Sequence, residues 1–200
     1  MTNHYYSRNQ SIESKPLYWD YRLRDHIFQF KTDQGVFSKK EVDFGSRMLI
    51  EKFALPTIDG PILDVGCGYG PIGLALAKVF PNRTVHMVDI NKRALHLAKE
   101  NANLNQITNV EIYESDRFEQ VKTRDFAAIV TNPPIRAGKR IVHDIFSESY
   151  QYLQRKGALW AVIQKKQGAP SAQKKLKSVF QHVKVVQRSK GYYVLKAEKF

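Results

Sequence analysis

Residues 131–138 read TNPPIRAG and follow the apolar run FAAIV, 126–130. Proline has no backbone N–H, so Pro133 and Pro134 strip two consecutive donors from a corner whose carbonyls all remain. The residue before a proline is held extended, which stiffens Asn132 and Pro133 and prevents a helix from starting there. Such an acceptor-rich turn suits a ligand that brings donors, an amino group for instance; a strand-ending turn with nothing bound is the plain alternative. A second constellation lies upstream in LDVGCGYGPIG, 63–73. Gly66, Gly68 and Gly70 permit positive φ and close approach of a ligand to the backbone. Gly68, Gly70 and Gly73 also fit the G-x-G-x-x-G spacing of dinucleotide folds, but too late in the chain, because Asp64 and Gly66 stand where that fingerprint's first glycine closes the strand. An acid at this place is awkward for a pyrophosphate and suited to an ammonium or sulfonium. Asp89 ends the next apolar run, where a carboxylate can accept both hydroxyls of a ribose. Asp116 and Asn132 end two more.

The elements that must position these residues follow from periodicity. From residue 61 onward, short apolar runs alternate with helical patterns. Strands are expected at 61–65, 84–90, 109–115, 126–132 and 158–164, helices at 71–80, 92–105, about 139–154 and up to about 180. Two closing strands, HVKVVQRS and YYVLKAEKF, are joined tightly at Lys190 and Gly191 and can only pair antiparallel. Alternation of strands and helices builds a parallel sheet covered on both faces, and parallel strands present their carboxyl ends on one edge. The glycine loop, both acids and Asn-Pro-Pro should therefore converge on one crevice. Residues 1–55 differ: 17–38 alternate aromatic and polar residues like strands with a turn, and 39–53 read as a helix. This segment is expected to be a cap on a main domain of residues 56–200, either as packing or as a lid over the site.

Composition narrows the classes. The chain has 200 residues, 42% hydrophobic and 26% charged, which suits one globular domain with a real core. No apolar run reaches the roughly 18 residues of a membrane span, and MTNHYYSRNQ lacks the basic-then-apolar pattern of a secretory signal, so a cytoplasmic protein is expected. Cys67 is the single cysteine, which excludes an internal disulfide. It lies inside the glycine loop, outside any nucleophile motif, and the six histidines show no ligand spacing, so neither a covalent cysteine adduct nor a metal site is expected. The balance of 32 Lys+Arg against 19 Asp+Glu, a net charge of +13, points to a polyanionic partner such as nucleic acid.

LDVGCGYG, VDI, SD and NPPI, in that order, together with GVFS at 35–38, resemble the successive motifs of class I S-adenosylmethionine-dependent methyltransferases, specifically the "methyltransferase small" family. Within it the chain is similar to bacterial enzymes that methylate the exocyclic N2 of guanosine in small-subunit ribosomal RNA. The resemblance runs from about residue 18 to the end. It implies a Rossmann-like α/β fold with a seven-stranded, mostly parallel sheet whose last strand is antiparallel, S-adenosylmethionine as cofactor, and ribosomal RNA or a pre-ribosomal particle as partner, with a monomer favoured. It further implies that Asp64, Gly66, Cys67, Gly68 and Gly70 cradle the cofactor, that Asp89 with Ile90 holds its ribose and that Asp116 lies near its adenine. It also implies that Asn132, Pro133, Pro134 and Ile135 hold the target base and that Asn132 borders the cofactor. Arg136, Lys139 and Arg140 are placed to grip phosphate. Ile135 stands where amino-directed enzymes with this corner often carry an aromatic residue, so Phe37 is the candidate for stacking on an extruded base. Adenine N6 and a glutamine side-chain amide present the same NH2 group and stay open as targets, as does a non-catalytic RNA-binding or assembly role. The family's best-known members carry a further N-terminal domain; this chain is as long as their catalytic half.

Overall fold

A computed structural model describes residues 13–200; residues 1–12, with the start of the 1–55 segment and the N-terminal stretch read for a leader, lie outside them. The chain forms β1 (Leu17–Leu23), β2 (His26–Thr32), α1 (Phe44–Lys52), β3 (Ile62–Val65), α2 (Pro71–Val79), β4 (Val85–Asp89), α3 (Lys92–Leu104), β5 (Val110–Glu114), β6 (Phe126–Thr131), α4 (Lys139–Tyr152), β7 (Leu153–Gln164), α5 (Ala169–Lys177), β8 (His182–Ser189) and β9 (Tyr192–Glu198). β3 to β9 make one seven-stranded sheet in the order β5-β4-β3-β6-β7-β9-β8, and β1 and β2 pair as a separate hairpin. β5, β4, β3, β6 and β7 are mutually parallel, whereas β9 runs antiparallel to both β7 and β8. This is the Rossmann-like methyltransferase sheet expected from the motif order. The sheet reverses its direction of growth at β3, which has β4 on one side and β6 on the other, and such switch points open a crevice at the carboxyl ends of the strands.

Strands covered on both faces are apolar at nearly every position, and in β3 and β6 every residue is buried, with Asp64 and Thr131 the polar exceptions. Their alternation sorts the core into two layers. Ile62, Ala128, Val130, Trp160 and Val162 pack with the side that holds α1, α2, α3 and the hairpin. Leu63, Ile129, Leu159, Ala161 and Ile163 pack with α4 and α5. Leu23, Phe28 and Phe30 of the hairpin and Met48, Leu49 and Ile50 of α1 are buried in the first of these layers. Each such side chain contributes about 1.5–3 kcal/mol by leaving water, so the hairpin and α1 pack as part of this core layer.

Three boundaries differ from the sequence reading. The helix expected at 39–53 starts only at Phe44, because the Asp43 carboxylate accepts from Gly45 N (3.0 Å) and Ser46 N (3.3 Å) and caps it. The strand expected at 158–164 begins at Leu153, which pairs with Phe126 ahead of a bulge. The polar stretch QRKG that follows lies in that bulge, unpaired with β6 until Ala158 meets Ala128, and Lys156 takes φ 66°. The basic helix is shorter than expected, since Gly168 at φ 106° separates α5 from a 3-10 turn at Lys165–Gln167. Among the described residues no helix is long and apolar enough to cross a membrane.

Candidate active site

The glycine loop leaves β3 and turns under two backbone anchors: Gly66 N and Cys67 N both donate to Val88 O of β4 (2.8 and 2.9 Å). Gly66 and Gly68 adopt φ 76° and 58°, and a Cβ built on either would meet no atom within 4 Å. Their missing side chains therefore leave open space above the loop. Gly70 serves differently. It stands at φ 103° as the N-cap of α2, and a Cβ there would come 2.8 Å from Leu74 Cδ1.

Asp89, at the carboxyl end of β4, accepts from Gly68 N with one oxygen (2.9 Å) and from Asn91 N with the other (2.8 Å). Burial pushes its carboxyl above the ordinary value, and these backbone donors pull it back. A carboxylate has about four lone-pair sites, so both oxygens keep room for hydroxyls of a ligand. Asp64 is fully buried within β3; its Oδ2 accepts from Gly73 N (2.8 Å), whereas Oδ1 has no partner. Desolvation raises its carboxyl to about 7. Asp116 lies two residues beyond β5 and accepts from Arg117 Nε (3.0 Å), and Arg117 in turn reaches Asp144 of α4 (3.2 Å).

The Asn-Pro-Pro corner follows β6 directly. Thr131 Oγ1 donates to Val65 O (2.9 Å), tying the end of β6 to the end of β3. Pro134 O accepts from Ala137 N (2.9 Å) in a short 3-10 turn, and the corner still offers Asn132 Oδ1 and Pro133 O as acceptors. The Asn132 amide is oriented from its donor end: Nδ2 donates to Ser46 Oγ (3.0 Å) and to Asp43 Oδ2 (3.2 Å).

These parts open onto one cavity of about 320 Å³. Of the residues expected at the site, Phe37, Gly66, Cys67, Gly68, Asp89, Ile90, Asp116, Asn132, Pro133, Pro134, Ile135 and Arg136 line it. Asp64, Gly70 and Lys139 do not. Asp64 sits beneath the loop against α2, Gly70 caps that helix, and Lys139 is the exposed first residue of α4. Phe37 is 48% exposed at the mouth. Sequence reasoning missed Asp43, Ser46 and Tyr192, which also line the cavity. An acid directly before the first apolar-periodic residues is an N-cap signal that would have marked Asp43. It also missed Asn101 of α3, fully buried, whose Nδ2 donates to Tyr69 O (2.9 Å) and Lys31 O (3.0 Å) while Oδ1 accepts from Lys31 N (2.7 Å). One amide thus ties the hairpin to the glycine loop.

The residues fit S-adenosylmethionine. The bare glycines leave space for a backbone-hugging ligand, both oxygens of Asp89 can accept from hydroxyls, and the orphaned Asp64 Oδ1 lies buried beneath the loop, where a positive group in the cavity would favour its ionised form.

Comparison with known proteins agrees. A family model, Methyltransferase small domain, matches residues 27–196. The chain is 58% identical over 200 residues, the whole of both chains, to the uncharacterized protein YbxB of Bacillus subtilis. It is 38% identical over 132 residues to the ribosomal RNA small subunit methyltransferase C of Aeromonas hydrophila, but covers only 37% of that protein's length. Its fold superposes with a TM-score of 0.82, at 23% identity, on a T. thermophilus 16S rRNA N2 methyltransferase in complex with AdoMet and guanosine, over 96% of this chain and 52% of that one. The chain belongs to the methyltransferase small domain family and is a class I S-adenosylmethionine-dependent methyltransferase.

Proposed function

We propose that the protein methylates an exocyclic amino group, N2 of guanosine in small-subunit ribosomal RNA. One observation carries this reading: with Nδ2 of Asn132 engaged by Asp43 and Ser46, the amide's acceptor end is left for a ligand, in the same cavity as Gly66, Gly68 and Asp89. The net charge of +13, the names of the ribosomal RNA relatives and the guanosine bound to the T. thermophilus structure support the choice of substrate.

The chemistry follows from what the corner lacks. The amino nitrogen of guanine is a poor nucleophile because its lone pair is delocalised into the ring. Asn132 Oδ1 and Pro133 O accept its two N–H bonds, favour a pyramidal nitrogen and stabilise the positive charge that develops there. S-adenosylmethionine supplies the electrophilic methyl group. Asn132 and the prolines need only hold the nitrogen in line, about 3–3.5 Å from its target carbon. The methylated ammonium then loses a proton easily, so no dedicated base is required. Ile135 packs on the base, and Phe37 at the mouth is the stacking partner.

Radiolabelled cofactor, incubated with ribosomal RNA and with assembled small subunits and followed by mass spectrometry of the nucleosides, tests the reading. N2-methylguanosine is the expected product. N6-methyladenosine, or label confined to protein, overturns it. Asn132→Ala is expected to lower kcat by roughly 10² or more with cofactor affinity nearly unchanged by calorimetry, as for loss of one preorganised contact. A near-normal kcat refutes the role.

A further inference from the structure

An asparagine amide presents two ends of almost identical shape, one accepting and one donating. Packing cannot choose between them, so the choice falls to the polar groups alongside. If the NH2 end faced the substrate, two donors would meet and the corner would repel the amine it should receive. We infer that Asp43 is the positioning residue that turns the acceptor end of Asn132 toward the substrate, an inference that rests on the reading of Asn132 as the amino-group acceptor.

The two residues lie 89 positions apart in the chain. Asn132 Nδ2 is 3.2 Å from Asp43 Oδ2, 3.4 Å from Asp43 Oδ1 and 3.0 Å from Ser46 Oγ. The Ser46 hydroxyl can donate or accept and would tolerate either orientation. An ionised carboxylate can only accept, so Asp43 alone dictates that the NH2 end points to it. Asp43 is itself held by α1, accepting from Gly45 N at 3.0 Å and Ser46 N at 3.3 Å. Gly45 leaves room for that approach: a Cβ there would crowd Asp43 Oδ1 at 3.1 Å and the Tyr192 ring at 3.0 Å, so one of them would have to shift. The N-terminus of α1 thus orients Asp43, and Asp43 orients Asn132. This gives the N-terminal segment a task in the reaction besides packing.

Asp43→Asn separates the two duties of the residue. Asparagine caps a helix about as well as aspartate, so α1 should survive. Its own NH2 group, replacing Oδ2, now faces Asn132 and favours the flipped amide. The expected outcome is a kcat on 16S ribosomal RNA lowered by about 10²-fold, with KM and the S-adenosylmethionine Kd within about twofold of the wild type. Because both substitutions remove the same contact, Asp43→Asn combined with Asn132→Ala should lose no more than Asn132→Ala alone. In NMR spectra the Asn132 side-chain amide signal, identified by its absence in Asn132→Ala, should shift in Asp43→Asn. A wild-type kcat in Asp43→Asn, while Asn132→Ala loses its activity, overturns the inference and leaves the function standing. Additive losses in the double variant also overturn it. A near-normal Asn132→Ala would instead remove the functional reading itself.

Discussion

Replacing Asp64 with asparagine should make the protein more stable at alkaline pH and worse at holding its cofactor. Asp64 is fully buried, with one oxygen partnered by Gly73 N and the other by nothing. Desolvation is the largest cause of its raised carboxyl, with the charge of Asp89 adding to it. An acid whose folded value is raised from 3.8 to about 7 binds its proton more tightly when folded. By linkage, the unfolded chain releases that proton first, so stability declines as pH rises from about 4 to about 7 and then levels. That interval of roughly three pH units, at 1.36 kcal/mol each, amounts to about 4 kcal/mol. Urea unfolding of the cofactor-free protein at pH 4.5 to 8.5 reads the effect as the difference between variant and wild type, in which every other titrating group cancels to first order. Asp64→Asn should lose or break even at the acidic end, where it leaves an unpartnered amide, and gain several kcal/mol toward the alkaline end. A positive ligand in the cavity favours the ionised carboxylate, so the wild type should release protons on binding S-adenosylmethionine near pH 7, and the variant should not. Calorimetry in two buffers of different ionisation enthalpy measures this. A difference in stability that stays flat across the pH range would show that Asp64 ionises normally in the folded state and would refute the reasoning.

Gly68→Ala puts a methyl group into the open space above the loop at φ 58°, and should weaken cofactor binding by about 10- to 100-fold, as overpacking costs 1–3 kcal/mol. Equilibrium dialysis checks it, and an unchanged Kd would mean the ligand does not approach this backbone. Asn101→Ala strands Lys31 N, Lys31 O and Tyr69 O at once. About 3 kcal/mol of stability should go, a fall in Tm on the order of 6–12 °C, which differential scanning calorimetry reads; a shift near zero would show that the hairpin is not anchored through this amide.

Much of the architecture could be read from the chain because it depends on patterns that survive without tertiary context. Strands buried on both faces are apolar at most positions, and PILDV, TVHMVDI and FAAIV read that way despite Asp64, His86 and Asp89. Strand starts without such a pattern could not be read: β7 begins at Leu153 opposite Phe126, and the polar QRKG bulges away from β6 before Ala158 meets Ala128. The start of α1 was misplaced because KKEV looks helical and outweighed the N-cap signal of Asp43, whose carboxylate turns back on Gly45 N and Ser46 N.

The amino-acid order was enough to establish that a glycine loop, two acids and Asn-Pro-Pro sit at successive strand ends, and hence on one edge, since parallel strands leave no other choice. Folding was needed to settle roles that depend on neighbours remote in the chain. It separated Gly70, pressed against Leu74, from Gly66 and Gly68, which face open space. It took Asp64 out of the cavity wall and left one of its oxygens alone. It also set the sense of the Asn132 amide, because two ends of equal shape are told apart only by what accepts or donates beside them, and the acceptor that decides is Asp43, brought there by α1.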